Sequence, residues 1–140
     1  MNTPLDPSLA GAVLRVDLAA LVANWRLLAA RAGTAECAGV VKADAYGTGA
    51  AQAAAALARA GCRTFFVAHL AEGVSVRRAA PEADVYVLNG FLPGSAGVYA
   101  EHGLRPVLGS AEEIAEWRTE GGGLPAALHV DTGLARLGLA

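Results

Sequence analysis

The segment TFFVAHLAEGVSVRRAAPEADVYVLNG, residues 64–90, decides the fold. Thr64 to His69 opens with the aromatic and β-branched residues that favour a strand. A helix then runs through Arg77 and Arg78 and halts at Pro81, which cannot continue it. Asp84 to Leu88 forms a second strand, and Asn89-Gly90 turns the chain away. A strand, a helix and another strand within so few residues make a parallel crossover unit.

The same alternation extends in both directions. Upstream, Glu36 to Val41 is a short apolar strand ending at Lys42, and the alanine-rich stretch Ala50 to Ala60 is a helix closed by Gly61. Downstream come a short helix over Ser95 to His102 and a strand over Leu104 to Leu108. Ser110 and Glu113 form an S-x-x-E capping box that opens a helix with Ile114 and Trp117 on one side. After the loop Gly121 to Gly123, Ala126 to Val130 is a fifth short strand. These five strands start 20 to 28 residues apart, with a helix in each gap. At the N-terminus, Pro4 and Pro7 keep the first ten residues irregular. Ala12 to Val16 reads as an extra strand, and Asp17 caps the helix after it. Leu18, Leu21, Val22, Trp25 and Leu28 share one face of that helix, which stops at Gly33.

An open doubly wound sheet and a (β/α) barrel both fit this pattern. No GxGxxG or GxxxxGK[ST] follows a predicted strand, so the nucleotide signatures of open sheets are missing. Barrel chemistry gathers at the C-terminal ends of strands, where Lys42, His69, Asn89 and Asp131 stand. The expected fold class is therefore α/β, a (β/α)8 TIM-type barrel represented by about its first five βα units. A complete barrel takes ~250 residues, so the 140 residues are expected to be a fragment. Unpaired edges on the first and fifth strands are expected to favour association.

Bulk properties narrow the function. Arg15, Asp17, Arg26 and Arg59 keep every apolar run below the roughly 18 residues of a membrane span. The start MNTPLDPSLAG lacks the charge and apolar core of a signal peptide. A formal charge of −2, with no basic cluster beyond Arg77-Arg78, argues against nucleic acid. Cys37 and Cys62 have neither CxxC nor zinc-finger spacing and read as free thiols of a cytoplasmic protein. His69 and His102 read as structural or exposed, and no metal is assigned because no partner stands at ligand spacing.

Two short segments carry chemistry. In VVKADAYGTG, Val40 to Gly49, Lys42 is the only lysine of the chain; the other ten basic residues are arginine. Arginine keeps its proton, whereas a partly desolvated lysine can lose one and attack a carbonyl carbon. That favours a Schiff-base role over a surface lysine. Tyr46 and Gly47-Thr48-Gly49 before a helix could hold an anion such as phosphate, although turn-forming glycines alone explain them at least as well. In HVDTGLARLG, His129 to Gly138, Arg136 offers a fork of donors to a carboxylate or phenolate, unless it merely pairs with Asp131. Asp-Thr-Gly also occurs in aspartic proteases, but the β-rich setting they need is absent.

Together the two motifs resemble the alanine racemase family, VVKADAYGTG matching its cofactor-lysine signature and HVDTGLARLG its Asp-Thr-Gly…Arg-Leu-Gly segment. RVDLAALVANWRLL, residues 15–28, resembles the family's entry into the barrel. The resemblance implies a pyridoxal 5′-phosphate enzyme that interconverts L- and D-alanine for peptidoglycan and works as a cytoplasmic homodimer. Residues 1–140 would be the N-terminal part of its barrel, with the remaining strands and a β-rich C-terminal domain lying outside them. Lys42 would hold the cofactor and exchange the α-proton on the D-alanine face. Tyr46 would contact the phosphate, and Arg136 the phenolic oxygen and substrate carboxylate. The opposing base would be a tyrosine from the partner's C-terminal domain, so the 140 residues alone should show little racemisation. Many members carry a lysine, often carbamylated, where this chain has His129. The resemblance leaves a non-catalytic pyridoxal-phosphate carrier as the alternative, with a decarboxylase on the same barrel fitting the lysine motif less well.

Overall fold

The computed structural model describes residues 9–139. The irregular lead-in expected at the N-terminus lies, for residues 1–8, outside the described residues. The elements in chain order are α1 (Leu18–Ala32), β1 (Gly39–Val40), α2 (Lys42–Gly47), α3 (Ala50–Arg59), β2 (Thr64–Val67) and α4 (Leu70–Ala79). They continue with β3 (Asp84–Val87), α5 (Ala96–His102), β4 (Leu104–Leu108), α6 (Ala111–Glu120) and β5 (Ala127–Leu128).

All four strand pairings are parallel, and the sheet order is β1-β2-β3-β4-β5. A doubly wound sheet reverses its strand order at a switch point, and this sheet has none. Monotonic order is the barrel alternative. The faces agree. Phe65 and Val67 on β2, Val85 and Val87 on β3, and Leu104, Pro106 and Leu108 on β4 are buried, and their neighbours are half-buried. The buried side chains pack beneath the helices, together with Ala53, Ala54 and Leu57 of α3 and Val76 of α4. The opposite face carries Phe66 stacked on Tyr86 with ring centroids 5.2 Å apart, and Arg105 bonded to the Tyr86 hydroxyl at 2.9 Å. Parallel sheets are ordinarily covered on both faces, so a sheet with helices on one side only is the wall of a barrel.

Local signals explain most boundaries. The Asp17 carboxylate accepts the amides of Ala19 and Ala20 at 2.9 and 3.0 Å, starting α1, and Gly33 at φ +64° ends it. Leu21, Val22 and Trp25 of α1 pack on the core, but Leu28, expected on the same face, is exposed. Ser110 Oγ accepts the Glu113 amide at 3.1 Å, one arm of the expected capping box. The other arm is displaced by one residue, because Glu113 accepts the amide of Gly109 at 2.6 Å.

One expected element is absent. Residues 12–16 form no strand, and Val13 and Leu14 remain 64% and 77% exposed. An apolar run becomes a strand only where another strand accepts its hydrogen bonds, and among the described residues β1 is paired on the β2 side alone. Among the described residues, no helix is long and apolar enough to cross a membrane.

Candidate active site

β1 delivers Lys42 to the C-terminal mouth of the sheet. The Val41 amide donates to the Phe66 carbonyl at 2.9 Å, extending the ladder to the residue before the lysine. Val41 is buried and Lys42 half-buried, so the amine starts from a fixed base. The next four residues depart from any sequence expectation. Ala43, Asp44, Ala45 and Tyr46 all have φ between 51 and 56° and ψ between 37 and 49°, one turn of left-handed helix. Such a turn costs about 1–2 kcal/mol per non-glycine residue, so other contacts must hold it.

Those contacts come from two carboxylates. Glu72 on α4 accepts the Ala43 amide at 2.7 Å, and on its other oxygen the amides of Ala68 at 2.8 Å and His69 at 3.1 Å. Burial by itself would raise the Glu72 carboxyl, but the amides of His69, Ala68, Ala43 and Asp44 outweigh it and leave it below the usual range. Asp44 accepts the Ala50 amide at 2.7 Å. At the start of α3 the Asp44 carboxylate thus takes one of the free amides, that of Ala50. Because the exposed Ala43 methyl buries nothing, Ala43→Gly should relieve left-handed strain at little cost in packing. A gain of about 0.5–1 kcal/mol is expected after the extra unfolded-state entropy of glycine, read as a higher urea midpoint.

The second segment is a loop closed on itself. The His129 amide donates to the Leu108 carbonyl at 2.8 Å, and the Leu139 amide returns to the His129 carbonyl at 2.8 Å. Within the loop, Asp131 accepts the amides of Gly133 at 2.9 Å and Ala135 at 3.1 Å. These donors hold its carboxyl below the usual range. Gly138 has φ +111°, and a Cβ there would lie 3.0 Å from both the Asp131 amide and the His129 ring. The close return of the loop therefore requires glycine. Asp131 is committed to the turn, and the described ion pairs, Arg105–Asp84 and His102–Glu101, do not include Arg136.

The two segments meet. Lys42, Ala68, Leu88, Asn89, His129, Arg136 and Leu137 line one cavity of about 290 Å³. Lys42 follows β1 and His129 follows β5, the two edges of the sheet. In a flat sheet four strand spacings would put those edges about 19 Å apart, so their convergence is the curvature of a barrel. Among the described residues the walls supply a primary amine, a guanidinium, an imidazole and an amide, and no carboxylate. That donor set suits an anionic ligand bearing a carbonyl, as pyridoxal 5′-phosphate is.

Of the expected site residues, Lys42 and Arg136 are brought together. Tyr46 is 66% exposed on the left-handed turn and is not among the cavity's lining residues. Asn89, whose amide nitrogen lies 3.0 Å from His69 Nδ1, forms part of the wall. Sequence reasoning missed Glu72; its position three residues after His69, where an acidic side chain can reach back to a helix start, was the available signal. Among the described residues no group of three His, Cys, Asp or Glu could hold a metal ion. Cys62 is buried and Cys37 half-buried, both as free thiols.

Comparisons with known proteins agree with this geometry. The family model described as "Alanine racemase, N-terminal domain" matches residues 16–140. An alanine racemase of Methylobacterium sp. (strain 4-46) is 64% identical over 92% of this chain and 36% of its own length. A catabolic alanine racemase of Mesorhizobium japonicum is 49% identical over 98% of this chain and 37% of its own. The crystal structure of alanine racemase from Bartonella henselae with covalently bound pyridoxal phosphate superposes with a TM-score of 0.83 at 41% identity, covering 89% of this chain and 36% of that one. The chain thus spans just over a third of the length of the relatives it matches.

Proposed function

This chain belongs to the alanine racemase family, and on that premise we propose that it carries the cofactor-bearing site of a pyridoxal 5′-phosphate-dependent racemase that interconverts L- and D-alanine. The observation that carries the reading is the shared cavity of Lys42 and Arg136, drawn from opposite edges of the sheet. When bound, the cofactor supplies an electron sink for the pair left behind when the α-proton is removed.

The chain's own groups supply the rest. Lys42 is the covalent attachment point and, once released, the base that removes or returns the proton at the α-carbon on the D-alanine face. Its half-buried stem and hydrogen-bonded β1 anchor limit where the amine can reach. Arg136 offers paired N–H donors to the cofactor's phenolic oxygen and the substrate carboxylate, and no ion pair within its own loop competes for them. His129 lines the cavity beside Arg136 and is assigned the support of its guanidinium. Tyr46, exposed on the turn that carries Lys42, is assigned the contact to the phosphate. The wider reading is a cytoplasmic homodimer supplying D-alanine for peptidoglycan, the opposing base coming from the partner's C-terminal domain.

Racemisation requires a proton donor on each side of the α-carbon, and Lys42 serves one. The purified chain with pyridoxal 5′-phosphate is therefore expected to exchange the α-proton of D-alanine with deuterated water and to form little L-alanine. Proton NMR and chiral chromatography read the two outcomes separately. No exchange with either enantiomer would favour a non-catalytic carrier of the cofactor.

A further inference from the structure

We propose that Glu72 is the positioning residue for Lys42, a clamp from α4 that keeps the left-handed turn wound and so fixes the direction from which the amine enters the cavity. This assignment rests on the reading of Lys42 as the cofactor lysine. One Glu72 oxygen holds the amides of Ala68 and His69, at the end of β2 and the start of α4, and the other holds the amide of Ala43. Glu72 thereby ties the residue after Lys42 to the neighbouring βα unit. The turn's other bonds are local, among them Ala45 to the Val41 carbonyl at 3.0 Å, the Thr48 amide and hydroxyl to the Ala45 carbonyl at 3.2 and 2.6 Å, Gly49 to the Asp44 carbonyl at 2.9 Å, and Ala50 to the Asp44 carboxylate.

The geometry explains why a carboxylate is needed. Four consecutive left-handed residues, none of them glycine, are unfavourable in isolation. A neutral amide at position 72 would keep one acceptor oxygen and turn the other position into a donor facing N–H groups. Glu72→Gln must therefore give up either the Ala43 amide or the pair at Ala68 and His69. Glu113 shows what the same helix position does without a strained partner. At the start of α6 it accepts the Gly109 amide of its own strand–helix connection.

The lone lysine provides the assay. A lysine-specific endoprotease can cut this chain only after Lys42, and it requires an extended segment, so cleavage reports opening of the turn. Loss of one charge-assisted hydrogen bond should raise the open population, and the cleavage rate in Glu72→Gln, on the order of ten-fold. Arginine-specific cleavage serves as the control for general loosening and should rise much less. Labelling of Lys42 by pyridoxal 5′-phosphate, fixed by borohydride and read by mass, should slow on the order of ten-fold in the same variant. Equal increases at lysine and arginines, or no change at Lys42, would overturn the clamp. Hydrogen exchange of the Ala43 amide in the unsubstituted chain gives a test that needs no variant: protection supports the clamp, and free exchange overturns it. If the unsubstituted chain takes no label at Lys42 while Glu72→Gln still opens the turn, the cofactor reading fails and the clamp stands.

Discussion

Lys42→Ala should abolish both cofactor attachment and α-proton exchange, lowering any racemisation by several orders of magnitude. The loss is expected to be this large because the proposed function gives one amine two tasks, covalent attachment and proton transfer. Lys42→Arg should be nearly as inactive despite keeping the charge, since guanidinium neither attacks a carbonyl nor releases a proton near neutral pH. Arg136 and the cavity walls remain in both variants, so weak non-covalent uptake of pyridoxal 5′-phosphate should survive. Spectral titration of binding, alongside borohydride trapping, separates the retained function from the lost one. Substantial trapping or exchange in either variant would remove Lys42 from the role.

Trp117→Ala should produce the largest loss of stability. Trp117 of α6 is buried and meets Phe91 and Tyr99 edge-on, with ring centroids 5.1 and 5.4 Å away. Its indole N–H donates to the Leu124 carbonyl at 3.2 Å, fixing the loop that leads into β5. Truncation leaves a cavity beside Phe91 and Tyr99 and removes the donor of the Leu124 carbonyl, at a cost of about 3–5 kcal/mol. Tyr99 beside it is itself constrained: its hydroxyl donates to the Gly90 carbonyl at 2.7 Å, and burial, with the Glu113 charge, pushes its pKa up to about 12. Because β5 precedes the Arg136 loop, the variant should also lose cofactor affinity. A denaturant midpoint within error of the unsubstituted chain would contradict this account of the aromatic cluster.

Residues 64–90 made the fold legible because each boundary carried its own chemistry. The β-branched and aromatic runs, the arginine-ended helix and Pro81 sit where β2, α4 and β3 begin and end. Periodicity could not decide between an open sheet and a barrel wall; strand order did. The extra strand over residues 12–16 failed because hydrophobicity marks a segment that could be a strand, whereas pairing depends on a neighbour elsewhere in the chain. At the site, Lys42 and Arg136 were legible as residue types whose alternatives lacked the chemistry. The left-handed turn was not, because alanine and tyrosine give no sign of positive φ, and one aspartate, although it tolerates that region, marks a single residue rather than a run of four. Its cause lies in Glu72, distant in sequence and joined to Ala43 only by the β1–β2 pairing and the placement of α4.

The central claim is that Lys42 anchors the cofactor, and the chain offers unusually few amines to confuse the test: Lys42 and the N-terminus. After incubation with pyridoxal 5′-phosphate, borohydride reduction and peptide mapping, a single pyridoxyl group should sit on Lys42. Label confined to the N-terminal amine, or none at all, would contradict the account.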